Sequence, residues 1–219
     1  MTAAAPPAQP ATRGQVIAWG FWDWGSAAFN TVILTFVFSV YLTRAVGDGE
    51  PSASAALGWA VGIAGVALAI AAPVIAARAD SAGRRKRATG VWTAITIVTM
   101  ALLVFVRDDE QYLALGLILL ALGSVFWELA SVSYNAMLCQ VSTPATMGRV
   151  SGFGWGMGYL GGIVLLLGLY IGFISTNDDG TAGVFHIATA DGWNIRLVAL
   201  IAAGWFLVSA LPMFISVPE

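Results

Sequence analysis

Six apolar blocks divide the chain, with short polar links between them: Val16–Leu42, Ala55–Ala77, Ala88–Val106, Tyr112–Cys139, Val150–Ile174 and Trp193–Val217. Each meets or approaches the roughly 20 residues that a helix needs to cross a bilayer. The blocks are continuous rather than alternating, and lipid admits only helices or closed barrels, so helices are predicted. The expected architecture is an all-α membrane protein, a bundle of six transmembrane helices over residues 15–219. The first fourteen residues, MTAAAPPAQPATRG, are rich in Ala and Pro and lack apolar periodicity. They also lack the basic start and apolar core of a cleaved signal peptide, and a disordered tail over 1–14 is expected.

Composition agrees with the blocks. Of 219 residues, 58% are hydrophobic and only 10% charged, where a soluble domain carries about 25% charged residues. One soluble core of this length could not bury that much apolar surface. Cys139 is the only cysteine, which excludes an internal disulfide. His186 is the only histidine and has no second ligand nearby in sequence, so no metal is expected. No nucleophile-elbow serine and no Cys/His cluster is present. The chain reads as no enzyme, with no cofactor, and nothing in it points to nucleic acid.

Charge distribution sets the topology. Arg13, Arg78, Arg84, Arg85, Lys86, Arg87 and Arg149 fall on the N-terminal side of the spans, and Arg44, Arg107 and Arg196 on the other. The excess of basic residues puts the N-terminus in the cytoplasm, and six spans return the C-terminus there. The expected location is the cytoplasmic (inner) membrane.

Two carboxylates lie inside the apolar blocks. Asp23 is the only charged residue between Val16 and Leu42, and at 100° per residue Asp23, Ser26 and Asn30 share one helix face. In the fourth span Ser124, Glu128, Ser131 and Asn135 do the same. Ionisable side chains within spans face a bundle interior or a water-filled cavity, which makes both stripes candidates for binding a cationic group or carrying a proton. The plainer reading is that they hydrogen-bond to neighbouring helices, with Asn30 and Asn135 serving as packing contacts.

The stretches FWDWGSAAFN (21–30) and FWELASVSYN (126–135) match at Phe, Trp, Ser and Asn and differ conservatively at the acid and at the second aromatic position. Such a match between the first and fourth spans is consistent with an internal repeat of inverted topology. Against it, the expected span edges put both acids in the cytoplasmic half, where an inverted repeat needs mirrored depths. Chance matching in a Trp-, Phe- and Ala-rich chain is the alternative.

The link ADSAGRRKR (79–87) holds most of the basic charge. Such a cluster serves as a topology signal in any cytoplasmic hairpin. The order adds more: Gly83 permits a tight turn with positive φ, and Asp80 can accept hydrogen bonds from the arginines or from a helix N-terminus. The run Asp80-Ser81-Ala82-Gly83-Arg84-Arg85 resembles the signature loop of the major facilitator superfamily, with Ala76 in place of the leading glycine and Arg78 where an apolar residue is usual. The segments WGFWDWGSAAFNTVILTFVFSVYL, PVIAARADSAGRRKR, SYNAMLCQVSTPATMGRVSGFGWGMGYLGG and LPMFISVPE resemble the unknown-major-facilitator family, which includes the fungal autophagy-related vacuolar amino-acid effluxer.

The resemblance covers all six spans and corresponds to the N-terminal half of a twelve-span transporter. It implies two inverted three-helix repeats and alternating access around a midplane site. Asp23, Ser26, Asn30, Glu128, Ser131 and Asn135 would bind a small solute, an amino acid among the candidates, or a proton. Asp80, Gly83, Arg84 and Arg85 would form a cytoplasmic conformational latch. The partners implied are a complementary six-helix half, or self-association, and the lipid bilayer. The competing reading is a non-transporting truncated or accessory subunit that packs against another bundle.

The fifth span contains Gly156-x-Gly158-x-x-Gly161, a literal dinucleotide fingerprint, but no βαβ pattern surrounds it and no acid follows about 20 positions on. Gly154, Gly158 and Gly162 recur every four residues, as small residues do where helix backbones approach closely. Pro73 is expected to kink the second span.

Overall fold

The computed structural model describes residues 11–81 and 83–218. Within these, six helices are long and apolar enough to cross a membrane. They are α1 (Arg13–Val46), α2 (Pro51–Ser81), α3 (Arg85–Phe105), α4 (Glu110–Val141), α5 (Met147–Ile174) and α6 (Ala190–Ser216). The first ten residues of the expected tail lie outside the described residues.

Local chemistry decides where α1 begins. Thr12 and Gln15 cap each other reciprocally: the Gln15 amide donates to Thr12 Oγ1 at 3.3 Å and the Thr12 amide to Gln15 Oε1 at 2.9 Å. At its far end α1 outruns the expected edge at Leu42, because its hydrogen-bond ladder widens instead of breaking. Ala28–Phe36 and Leu42–Val46 are π-helical. Val37 N bonds Val32 O at 3.0 Å and Gly47 N bonds Leu42 O at 2.9 Å, both five residues back. Pro73 is accommodated inside α2, which remains helical to Ser81. Between α2 and α3, Gly83 takes φ +63°, the left-handed turn that glycine permits.

The packing has an internal symmetry. α1 packs on α5 and α6, α4 packs on α2 and α3, and α3 meets α6. Exchanging α1 with α4, α2 with α5 and α3 with α6 leaves that set unchanged, which is the arrangement of two three-helix repeats. The two matched decapeptides meet at the centre. Trp22 stacks on Tyr134 with ring centroids 4.2 Å apart, and Trp127 stacks on Phe29 at 6.1 Å. Each tryptophan thus meets the ring that lies seven positions further along the other stretch, as two antiparallel copies must. Asp23 and Glu128 each follow one of these tryptophans and so sit at opposite ends of the crossing. The crossing point sets their relative levels, and span edges counted along the sequence do not.

Polarity is distributed for a bilayer. Thr89, Thr93, Thr96 and Thr99 form a buried stripe on α3. The hydroxyls of Thr89, Thr96 and Thr99 return to the carbonyls of Arg85, Trp92 and Ile95 at 2.9 Å, and Thr93 Oγ1 accepts from Trp22 Nε1 at 3.0 Å. Satisfied small polar groups therefore fill part of the interior, while Trp59, Ile63 and Ile70 of α2 and Leu160 and Ile163 of α5 are exposed. Association of helices in lipid rests on such packing and hydrogen bonding, not on a hydrophobic interior. Between α5 and α6 the chain forms a small hairpin, β1 (Thr181–Ala182) paired antiparallel with β2 (Ile187–Ala188).

Candidate functional site

At mid-length of the bundle α1, α4 and α5 enclose a cavity of about 360 Å³. Asp23, Ser26 and Asn30 supply its α1 wall, and Ser131 and Asn135 supply polar groups from α4. Five of the six residues expected to bind solute or proton are thus gathered around one space. Glu128 lies outside that lining. It is half-buried on α4, and no hydrogen bond or ion pair holds it among the described residues.

The polar groups are oriented by one another. Ser26 is almost wholly buried (1% exposed), and its hydroxyl donates to Asp23 Oδ1 at 3.3 Å and to the Asp23 carbonyl at 3.2 Å. Trp127 Nε1 donates to the Ser26 carbonyl at 3.1 Å, which fixes α4 to α1 beside the carboxylate. Asn135 Nδ2 donates to Ser131 Oγ at 3.4 Å, one helical turn back. Asn30 and Asn135 are exposed to the cavity side.

Behind these groups stands an aromatic wall. Tyr134 is sandwiched between Trp19 and Trp22, at centroid separations of 4.4 and 4.2 Å. Its hydroxyl donates to the Trp19 carbonyl at 3.2 Å, and Trp19 Nε1 returns a bond to the Tyr134 carbonyl at 3.5 Å. Trp155 and Tyr159 of α5 complete the lining and are 62% and 66% exposed. One face of the cavity is therefore open.

Glycines let α5 approach. Gly154 faces the Trp19 ring, Gly158 the Asp23 carboxylate, Gly161 the backbone of Trp24, and Gly162 the side chains of Thr31 and Ala27. A side chain at Gly161 would collide with the Trp24 main chain, so close backbone contact is required there.

The link between α2 and α3 lies at the end of the bundle where α1 begins. Gly83 and Arg84 are exposed. Arg85 Nη1 donates to the Ala136 carbonyl at 3.3 Å, and Lys86 Nζ to the Val217 carbonyl at 2.6 Å. Val217 follows the last turn of α6, where the backbone partial charge is negative, and Ala136 ends the long α-helical run within α4, before a turn at Met137. The side chain of Asp80 lies outside the described residues.

Reading single faces missed Trp127, Tyr134, Trp155 and Tyr159. Two of them were within reach: Trp127, Ser131, Tyr134 and Asn135 follow helical spacing inside a stretch already set apart. Trp155 and Tyr159 are four residues apart in a span where glycines drew the attention.

Residues 45–219 match the family described as "Vacuole effluxer Atg22 like". The uncharacterized MFS-type transporter YxiO of Bacillus subtilis (strain 168) is 28% identical over 199 residues, which are 90% of this chain and 45% of that protein. The inward open conformation of the xylose transporter XylE from E. coli matches with a TM-score of 0.65 at 15% identity, over 94% of this chain and 47% of that one. The chain thus spans about half the length of these relatives. The likeness to XylE is one of fold.

Proposed function

The chain belongs to the Atg22-like vacuole effluxer family of the major facilitator superfamily, and from that premise we propose that it is one half of a secondary transporter. It moves a small solute by alternating access, with an amino acid the first class to test. The observation that carries this reading is the polar cavity between α1, α4 and α5, which places Asp23, Ser26, Asn30, Ser131 and Asn135 around one space inside an apolar bundle. A carboxylate beside two amides and aromatic rings suits a solute with a cationic group and an apolar part. Glu128, free of any hydrogen bond among the described residues, would take a proton or a second contact to the solute.

The open side of the cavity is where a complementary six-helix half, or a second copy of this chain, would close it. Polar groups turned toward hydrocarbon are costly, and a facing bundle removes that cost. Rocking of the two bundles would expose the cavity to each side in turn. Gly83, Arg84, Arg85 and Asp80 would bias one state from the cytoplasmic end, where the basic residues place the N-terminus. The Arg85 and Lys86 bonds to α4 and α6 tie that link to the ends of its own bundle.

Uptake of a panel of small solutes into proteoliposomes tests this. The panel begins with amino acids and is run with and without a pH gradient, for the chain alone and with a complementary half. Accumulation that requires both halves is expected. A folded, paired bundle that turns over nothing would put the accessory-subunit reading in its place.

A further inference from the structure

A second groove lies at the end of the bundle where α1 begins, separate from the solute cavity. It has a volume of about 530 Å³ and runs between the first turns of α1 and α5 and the last turn of α4. Its rim is cationic and hydroxylic: Arg13 opens α1, Arg149 lies in the first turn of α5, and Thr146 stands between α4 and α5. Its floor is apolar, formed by Ile17, Val150 and Phe153. No acidic residue lines it, and neither arginine has an acidic partner among the described residues.

The start of α5 adds to the positive potential, since the first amides of a helix carry partial positive charge and Arg149 in its first turn lines the groove. The Thr146 side chain does not cap α5; its hydroxyl is instead engaged with Thr143, which lies 3.0 Å away. A single anion seated between Arg13 and Arg149 would meet two guanidinium groups beside the N-terminus of α5, which no side chain caps. Guanidinium groups are matched to phosphate oxygens, which they bind in pairs of hydrogen bonds.

The floor identifies the source of the phosphate. Ile17 is 48% and Phe153 38% exposed, one to two turns in from the starts of two helices long and apolar enough to span a membrane. A free inorganic phosphate would leave this apolar surface uncovered, whereas an acyl chain would lie along it. The lack of any carboxylate on the rim leaves nothing to receive the ammonium group of a zwitterionic headgroup. We propose that the groove binds an anionic phospholipid from the leaflet at this end, with its phosphate between Arg13 and Arg149 and an acyl chain along Ile17, Val150 and Phe153. Basic pockets between transmembrane helices recognise lipid headgroups by this chemistry.

Native mass spectrometry of the full chain in detergent tests it, with dioleoyl phosphatidylglycerol and dioleoyl phosphatidylcholine titrated separately. Phosphatidylglycerol should be retained preferentially, and the R13Q/R149Q variant should lose roughly tenfold or more of that retention, as expected for two juxtamembrane cations. The charge-conserving R13K/R149K variant should retain more than R13Q/R149Q but less than the parent, since it keeps the charge and loses the paired hydrogen bonds, which separates loss of charge from loss of fold. F153A should weaken phosphatidylglycerol binding and leave the affinity for glycerol phosphate unchanged. Equal retention of the two lipids, or unchanged retention in R13Q/R149Q, would overturn the proposal. Full displacement of the lipid by millimolar inorganic phosphate would overturn it too, by making the groove a free-anion site.

Discussion

The carboxylate of Asp23 rests against the backbone of Gly158: a Cβ at that glycine would lie 3.0 Å from Oδ2 and 3.1 Å from Cγ. Gly158→Ala therefore forces the carboxylate to move while giving α5 a residue that favours helix by about 1 kcal/mol. The variant should fold normally and transport at least about tenfold more slowly, because a site group displaced by a fraction of an ångström loses its alignment. Solute uptake measured beside a thermal melt separates the two effects. Uptake at the parent rate would mean that this contact is packing alone.

Asp23 itself is the next test. Asp23→Asn keeps the shape and the bond from Ser26 but removes the charge, so transport should be lost or uncoupled in a folded bundle. Asp23→Leu also removes the carboxylate that accepts from Ser26, whose hydroxyl keeps the Asp23 main-chain carbonyl; the lost bond lies within α1, and stability should fall by no more than about 1 kcal/mol. Uptake and unfolding of both variants, measured in the complete transporter, check this. Unaltered uptake by Asp23→Asn would take Asp23 out of the solute site.

The bonds from Arg85 to the Ala136 carbonyl of α4 and from Lys86 to the carboxyl end of α6 are expected to stabilise the bundle. Lys86→Gln should lower stability by about 0.5–1 kcal/mol, the usual size of a cation's effect at a helix C-terminus. Lys86→Arg should retain most of it. Denaturation in detergent at low ionic strength measures the difference, and added salt should shrink it.

The loop between α5 and α6 carries a pH-dependent cluster. The Thr181 hydroxyl donates to Asp179 Oδ1 at 2.6 Å and its amide donates at 2.9 Å. With His186 Nδ1 3.0 Å from Oδ2 as a lesser contribution, these bonds hold the Asp179 carboxyl below the usual carboxylate range. A lowered value means that the folded hairpin favours the ionised form. Its contribution is present above the ordinary pKa of about 3.9 and is lost as pH falls through the lower, folded value. The protection of amides across 177–188, taken relative to their intrinsic exchange at each pH, should hold down to about pH 4 and fall below it. Asp179→Asn should remove that dependence.

Much of the fold was legible because a bilayer imposes length and hydropathy on every span. All six helices were readable; the likeness of the two decapeptides was visible, but span edges counted along the sequence spoke against their pairing. What hydropathy could not show was how the ladder of α1 widens at Ala28–Phe36, since π-turns keep the same apolar residues and change only their hydrogen-bond spacing. The stripes of Asp23 and Ser131 pointed at the cavity from two helices. The third wall escaped because Trp155 and Tyr159 look like lipid-facing residues when read one helix at a time. Lys86 read as topology charge; its bond to Val217 joins residues 131 positions apart, a relationship that no local pattern encodes.

The reciprocal stacking of Trp22 on Tyr134 and Trp127 on Phe29 gives the molecule an internal control. A substitution on one side has a twin on the other, in the same chain, the same detergent and the same preparation. Paired variants cancel whatever expression, purification and lipid contribute equally. A difference in response between the twins then reports how unlike the two faces of the membrane are to this protein, a quantity that single variants confound with everything else.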